Sequence, residues 1–218
     1  PPHPPPLPSR LPSRLELEPP VHTRLRGLVN RALLGRQVAR LRPKIEILSN
    51  GLIDGFEAKG EVDLLAVYAT PIPVIVICEL LGVPTEMASQ FLAWSHDMVA
   101  MYMAKRDFAV EEAAVKATIA FSGYMRSLIA ERRKNPKADL LSERVKAESE
   151  GQKLSENELI TTAILLLNAG HEATVHTIGN GVNALLALGI KEPITPATIE
   201  EIMRFDAPLH PFTRYALE

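Results

Sequence analysis

One segment, from Ser155 to about Leu188, constrains the fold more than any other part of the sequence. Ser155 and Glu158 have the spacing of a capping box, in which each side chain accepts a hydrogen bond from the backbone of the first helical turn. Nearly continuous apolar character follows. The pattern predicts a single helix of unusual length for a globular protein, and we expect it to run through the middle of the molecule.

The stretch NAGHEATVHTIGN, residues 168–180, places a glycine, an acid and two histidines inside this helix. A zinc-protease helix carries two histidines four residues apart, with a glutamate after the first. Here His171 and His176 are five residues apart, which separates them by about 140° around a regular helix. Because both imidazoles cannot then reach one ion, the spacing argues against a zinc-protease site.

The same helix carries a polar seam, defined as the residues Asn168, Glu172, His176 and Asn183. Gly170 lies beside it, and a mid-helix glycine costs about 1 kcal/mol relative to alanine. In one interpretation the seam is solvated or internally paired, and the glycine allows close helix packing. In the other, the seam borders a groove where a flat ligand approaches the backbone.

The rest of the sequence predicts further helices. Helical spacing of apolar residues from Val21 to about Glu57 indicates two amphipathic helices broken near Gly35. A buried helix should end at Gly82 and Pro84, Thr85 should cap another that runs through Trp94, and a long one should follow. The long helix is predicted over about residues 110–133. The last helix is predicted to begin at residues 195–196.

We therefore predict a mainly α-helical fold with little strand, the strand being FTRYALE at residues 212–218. The Pro-rich residues 1–15 are predicted to form an extended arm, and residues 16–218 one helical domain.

Charge and cysteine content exclude several classes of partner. Lys and Arg total 24 against 26 Asp and Glu, so we expect no binding to nucleic acid or to a membrane surface. No apolar run approaches the roughly 20 residues that span a bilayer. With a single cysteine, Cys78, the chain cannot form an intramolecular disulfide. So low a cysteine content suits the reducing cytoplasm.

Two pairs of residues outside the long helix suggest specific contacts. His22 and Arg26 are four residues apart, so both can donate to one carboxylate from one helix face. Glu201 and Arg204 are three residues apart and can pair with each other. Each pattern is weak by itself.

In order along the chain, these segments resemble the bacterial cytochrome P450 family. EPPVHTRLRGLVNRAL resembles its C helix, VICELLGVP the segment before its F helix, and AGHEAT the oxygen-activating part of its I helix. EEIMR resembles the E-x-x-R motif of its K helix, and FTRYALE the strand that follows. The resemblance covers about residues 16–218. It implies a haem monooxygenase that inserts one atom of O₂ into a small organic substrate, with electrons from a ferredoxin-type redox partner.

The resemblance also assigns roles to individual residues. It implies that His22, Arg26 and Arg214 donate to the haem propionates, and that Glu201 and Arg204 support the haem-binding core. The residues that it places around the oxygen site are Ala169, Gly170, Glu172, Ala173 and Thr174. Glu172 would deliver protons. Ala173 stands where the family has threonine, so Thr174, rotated by about 100°, or ordered water would assist instead.

The family's haem-ligating cysteine lies in a glycine-rich loop that this sequence does not contain. Cys78 lies in the apolar run VIVICELL, where burial raises rather than lowers the pKa of a thiol. We therefore expect a truncated chain that by itself forms no thiolate-ligated haem site and is inactive. Apolar surface left exposed should favour self-association.

Two other functions stay open at this point. The chain could be a haem-free scaffold of cytochrome P450 shape that activates a partner enzyme, with the Pro-rich arm as a docking segment. It could also be an unrelated helical bundle whose polar seam is only structural.

Overall fold

The computed structural model describes residues 18–33, 36–103, 106–137, 139–149 and 154–209. Within these ranges the chain forms eight α-helices and no strand. The helices are α1 (Val21–Leu33), α2 (Arg36–Asp54), α3 (Pro71–Leu81), α4 (Ala88–Val99), α5 (Phe108–Lys134), α6 (Leu140–Ser149), α7 (Glu156–Ala187) and α8 (Pro196–Phe205). The mainly helical fold class is confirmed. The predicted arm (1–15) and the predicted strand (212–218) lie outside the described residues.

Helix α7, with 32 residues, is the longest of the described helices, as the sequence predicts. Both parts of its capping box are formed, because the Ser155 hydroxyl accepts from the Glu158 backbone and the Glu158 carboxylate accepts from the Ser155 backbone. Helices α3, α4, α5 and α8 all pack against α7. The predicted central position is thereby confirmed.

Left-handed glycines end two of the helices that position the site. Gly82 has φ +72 and follows α3, and Gly189 has φ +64 and follows α7. After α3, the Gly82 and Val83 amides donate to the Glu79 and Cys78 carbonyls, which is the Schellman pattern. The same pattern closes α7. Glycine is preferred here because an L side chain rarely adopts positive φ.

The segment before α4 differs from the sequence prediction. Thr85 caps no helix but begins a 3-10 turn, Thr85–Met87, and α4 runs from Ala88 to Val99 rather than ending at Trp94. Pro84 explains the change, since it takes the extended conformation before the turn and so leaves Thr85 already inside it.

An aromatic cluster joins α4 to α5. Phe91 and Trp94 of α4 contact Phe121 and Tyr124 of α5, with ring centroids between 5.1 Å and 6.2 Å apart. Phe91 and Phe121 are fully buried. These rings bury enough apolar area to fix α4 and α5 as a pair.

A buried ion pair ties together the ends of α3, α5 and α6. Arg132 Nε lies 2.7 Å from Asp139 Oδ2, with the two side chains 3% and 7% exposed. Arg132 Nη2 donates to the Gly82 carbonyl at 2.6 Å, and Asp139 Oδ1 accepts from the Ser142 amide at 2.7 Å. A Cβ at Gly82 would lie 2.2 Å from Asp139 Oδ2. The packing of Asp139 against residue 82 therefore requires glycine there for space as well as for backbone conformation.

None of the helices in the described part of the chain combines the length and the hydropathy that a bilayer-spanning helix needs.

The buried ion pair between Arg132 and Asp139 gives the first prediction. Arg132→Met leaves the Asp139 carboxylate buried without its partner and should lower the free energy of unfolding by about 3 to 5 kcal/mol. Lys116→Met in the same helix is the control, because Lys116 pairs with Glu112 at the surface and is 71% exposed. Its cost should stay below about 1 kcal/mol. Equal losses in urea denaturation of the two variants would contradict the assigned role of Arg132.

Candidate functional site

Helix α7 has two faces with different environments. Leu167, His171 and Val175 lie on the side that packs into the core, and all three are buried. The opposite side, which we call the open face, consists of Ala169, Glu172, Ala173 and His176, within about 100° of arc. Ala169 and His176 are exposed, and Glu172 and Ala173 are half-buried. The structure thus brings three of the predicted site residues together on one accessible face.

Gly170 lies at the flank of this face and contacts α3. A Cβ at this position would lie 3.1 Å from Ile77 Cδ1. The space that glycine leaves is therefore used for close helix packing, the first of the two interpretations of the sequence. Its predicted place beside bound oxygen stays a prediction.

Thr174 is exposed and lies next to Gly170 rather than on the open face. Its hydroxyl donates to the Gly170 carbonyl at 2.9 Å, one turn earlier in the helix. This bond occupies the only hydrogen of the hydroxyl. Thr174 can still accept a hydrogen bond, but it is poorly prepared to donate one.

Glu172 is the acid of the open face. Among the described residues, its carboxylate makes neither an ion pair nor a hydrogen bond. A half-buried carboxylate without a partner is free to exchange protons with water or with a bound molecule.

The rest of the polar seam separates into different environments. The Asn168 side-chain oxygen accepts from the Ser95 hydroxyl of α4 at 3.1 Å, so this end of the seam joins two helices. His176 and Asn183 are exposed. The seam is therefore internally paired at Asn168 and open from Glu172 onward.

His171, which the sequence sets beside the predicted site, lies on the packed side of α7. Its ring is 2% exposed, and neither nitrogen has a hydrogen-bond partner in the described part of the chain. Burial, followed by repulsion from His96 and His176, lowers the pKa of His171 from 6.5 to about 4. His171 is therefore neutral near pH 7.

The predicted propionate donors lie on α1. His22 is half-buried and Arg26 is exposed, and within the described residues neither side chain forms an ion pair or a hydrogen bond. The neighbouring Arg24 instead pairs with Glu158 in the first turn of α7, which brings α1 to the start of the central helix. Buried Leu25 holds the same turn in the core. The third predicted donor, Arg214, lies outside the described residues.

The predicted pair in α8 is formed. Arg204 Nε and Nη2 donate to the two carboxylate oxygens of Glu201 at 2.8 Å and 2.6 Å. The side chains are 71% and 59% exposed, so the pair lies on the surface. Two contacts hold α8 on α7: apolar packing, since a Cβ at Gly181 would lie 2.7 Å from Ile202 Cγ2, and a hydrogen bond that Asn180 Nδ2 donates to the Asp206 carbonyl at 3.3 Å. The role of the pair in supporting a haem-binding core stays a prediction.

Cys78 is fully buried, and burial raises its pKa to about 12. The thiol therefore stays protonated and cannot act as a thiolate ligand. In the described ranges, no group of three or more His, Cys, Asp and Glu residues is placed to hold a metal ion.

Spacing along the sequence could not reveal several of these contacts. Ser95 lies 73 positions before Asn168. Ile77 and Gly170, like His96 and His171, are also far apart in the sequence. The only local signal was the placement of a glycine and a histidine inside an apolar helix.

The sequence was compared with protein-family models and with known proteins. No family model matches the chain. The sequence is 37% identical to cytochrome P450 CYP107DY1 of Priestia megaterium over 94% of this chain and 51% of that protein. It is 41% identical to a vitamin D(3) 25-hydroxylase of Pseudonocardia autotrophica over 88% of this chain and 48% of that protein.

A solved structure gives the same result for the fold. Myxobacterial cytochrome P450 CYP267B1 in complex with myristic acid superposes with a TM-score of 0.79 at 37% identity, covering 88% of this chain and 49% of that one. The chain spans about half the length of the curated relatives it matches.

The environment of His171 gives the second prediction. The folded-state pKa, about 4, lies below the unfolded value near 6.5. Between these values the unfolded chain binds a proton that the folded chain does not, so stability should fall as the pH is lowered from about 6.5 to about 4. The loss attributable to His171 should reach about 3 kcal/mol.

Urea denaturation between pH 7 and pH 4 would measure this loss. His171→Leu should remove this component of the pH dependence, whereas the exposed-site control His176→Leu should keep most of it, because burial is the largest cause of the shift. A pH profile of His171→Leu that matches the parent chain would contradict a neutral, buried His171.

Proposed function

The chain belongs to the cytochrome P450 family, and we propose on this basis that it forms the oxygen-side portion of a haem-dependent monooxygenase acting on a small organic substrate. One observation carries the proposal. Helix α7 packs into the core through Leu167, His171 and Val175 and leaves its opposite side accessible, with Ala169, Ala173 and Glu172, whose carboxylate has no partner among the described residues.

The residues present fit a haem group in two respects. Ala169 and Ala173, four residues apart, leave the middle of the open face without a large side chain, so a flat ring can approach the helix backbone. His22 and Arg26 are cationic or hydrogen-bonding groups without a protein partner in the described ranges, as donors to carboxylates should be. We propose that they hold the propionates, together with Arg214.

When bound, haem would supply the activation of O₂ with two electrons from a redox partner. The chain's own residues would position the group and move protons. Glu172 would accept a proton from solvent at its carboxylate and pass it toward the Ala173 side of the open face. With no hydroxyl at position 173, ordered water or a substrate hydroxyl would complete the path, because the hydrogen of Thr174 is held by the Gly170 carbonyl.

We propose a small apolar organic substrate and a ferredoxin-type electron donor. One relative is named for the hydroxylation of vitamin D(3), and one solved relative binds myristic acid.

Exposed apolar residues at the end of α7 and in the α8 region, such as Leu186 at 76% and Phe205 at 58% exposure, support the expectation of self-association.

The alternative is a haem-free scaffold of the same shape that activates a partner enzyme. The two functions differ in whether the open face and the donors on α1 bind haem.

The third prediction tests the propionate donors. Arg26→Ala should weaken haem binding by residues 1–218 about tenfold, since a hydrogen bond to a charged group is lost. Arg42→Ala is the matched control, because Arg42 is an exposed helix arginine whose ion pair, with Glu46, lies at the surface. Haem titration followed by absorption measures both. Equal weakening by the two substitutions would indicate non-specific attraction, and no saturable binding by the parent chain would favour the scaffold.

The fourth prediction concerns the ligand of the iron. Haem added to residues 1–218 should give no thiolate-type band in the reduced carbon monoxide spectrum, because the pKa of Cys78 is about 12. Cys78→Ser should give the same spectrum as the parent chain. A thiolate-type band that the substitution abolishes would make Cys78 the ligand and overturn the prediction.

A further inference from the structure

The side-chain amide of Asn168 has its oxygen engaged and its nitrogen free. The oxygen accepts from the Ser95 hydroxyl of α4 at 3.1 Å, which uses the only hydrogen of that hydroxyl. Among the described residues, the N–H groups of Asn168 Nδ2 have no hydrogen-bond partner. They are donors that a bound molecule can use.

This nitrogen is not sealed inside the protein. In the part of the chain that the structure describes, the buried side-chain nitrogens and oxygens without a partner belong to Arg132, Thr162 and His171. Asn168 is half-buried, and its free nitrogen is not one of these sealed atoms. Nδ2 therefore reaches the surface of the molecule.

Asn168 lies at the boundary between the packed side of α7 and the open face. Around the helix it is about 20° from buried Val175 and about 40° from Glu172 of the open face. Leu165, which is half-buried, lies one turn before Ala169 and about 40° from it, on the open side. An apolar surface and one polar donor thus occur together beside the open face, a combination typical of small-molecule sites.

Ser95 fixes the direction of this donor. Its side chain is fully buried on α4, so the oxygen that accepts from it is held in one place. The oxygen and the nitrogen of an amide lie on opposite branches of Cγ, and holding Oδ1 at Ser95 therefore turns Nδ2 away from Ser95. Because the amide of Asn168 is already oriented, a ligand that accepts from Nδ2 loses less entropy on binding.

We propose that Asn168 is a specificity-determining residue whose Nδ2 donates a hydrogen bond to an oxygen of the substrate, with Ser95 as the positioning residue behind it. The substrate is then a largely apolar molecule that carries a carbonyl oxygen, rather than a plain hydrocarbon. A neutral acceptor is favoured over an anionic one, because the Glu172 carboxylate one turn later repels negative charge. This role of Asn168 rests on the proposed function, which puts the substrate against the open face.

Two ligands of the same shape test the donor. Cyclododecanone carries a carbonyl oxygen, and methylenecyclododecane has a CH₂ group in its place. Binding of each to residues 1–218 is followed by the emission of Trp94, the single tryptophan, which precedes Ser95 in the chain. Asn168→Asp keeps an oxygen for Ser95 but removes the donor, so it should weaken ketone binding about tenfold relative to the methylene compound.

Three further variants serve as controls. Asn168→Leu also removes the donor without adding a charge, and it should have the same effect. Ser95→Ala keeps the donor but frees the amide to rotate, so the preference for the ketone should fall by a smaller factor. Asn183→Asp should leave the preference unchanged, because Asn183 is exposed and lies about 22 Å farther along the same helix.

The carbonyl stretch of the bound ketone provides a second readout. Infrared spectra should show it at a lower frequency in the parent chain than in Asn168→Leu, because only the parent donates a hydrogen bond to it. A ratio of the two affinities that is the same in the parent and in both Asn168 variants would overturn the proposal. So would a parent chain that binds no ketone in a saturable manner.

Haem titration of the same samples separates this role from the proposed function. Saturable haem binding without a ketone preference would count against Asn168 alone. A ketone preference that depends on Asn168, in a chain that binds no haem, would support the donor and overturn the haem-dependent function.

Discussion

The buried guanidinium of Arg132 is the constraint on which the arrangement of the helices depends. A charge that is 3% exposed depends on partners supplied by the protein, and here they are the Gly82 carbonyl after α3, Asp139 before α6 and the neighbouring Glu131. The Gly82 contact ties the end of α3 to Arg132 of α5. Ile77, on the same helix α3, lies beside Gly170 of α7.

That arrangement divides α7 into a packed side and an open one. A helix at the centre of a globular protein is usually covered on all sides, and this one keeps alanines and a carboxylate accessible in its middle turns. Close packing at Gly170, Gly179 and Gly181 makes this arrangement stable, because the glycines let α3, Leu65 and α8 approach without a side chain between. The open face lies between these closely packed flanks of the same helix.

Three arginine pairs show how burial changes the meaning of one contact. Arg132 with Asp139 is buried and structural, whereas Arg204 with Glu201 has comparable distances but lies at the surface. Arg24 pairs with Glu158 and sets the start of α1 against the first turn of α7. Arg26, which is exposed, has no such partner in the described ranges. The residue types alone do not distinguish these roles, since solvent screening decides them.

The sequence by itself determined most of the helices and several of their ends, because those signals are local, but it did not indicate α6 and it placed both ends of α4 incorrectly. The Ser155 and Glu158 box, the glycine after α3 and Pro196 act within a few residues, and the family resemblance rested on motifs of the same kind. Only the tertiary structure decided which faces pack. Gly170 meets Ile77, Ser95 reaches Asn168 and His171 meets His96. These contacts join residues remote in sequence, and their formation depends on how the helices dock, which no spacing along one helix encodes.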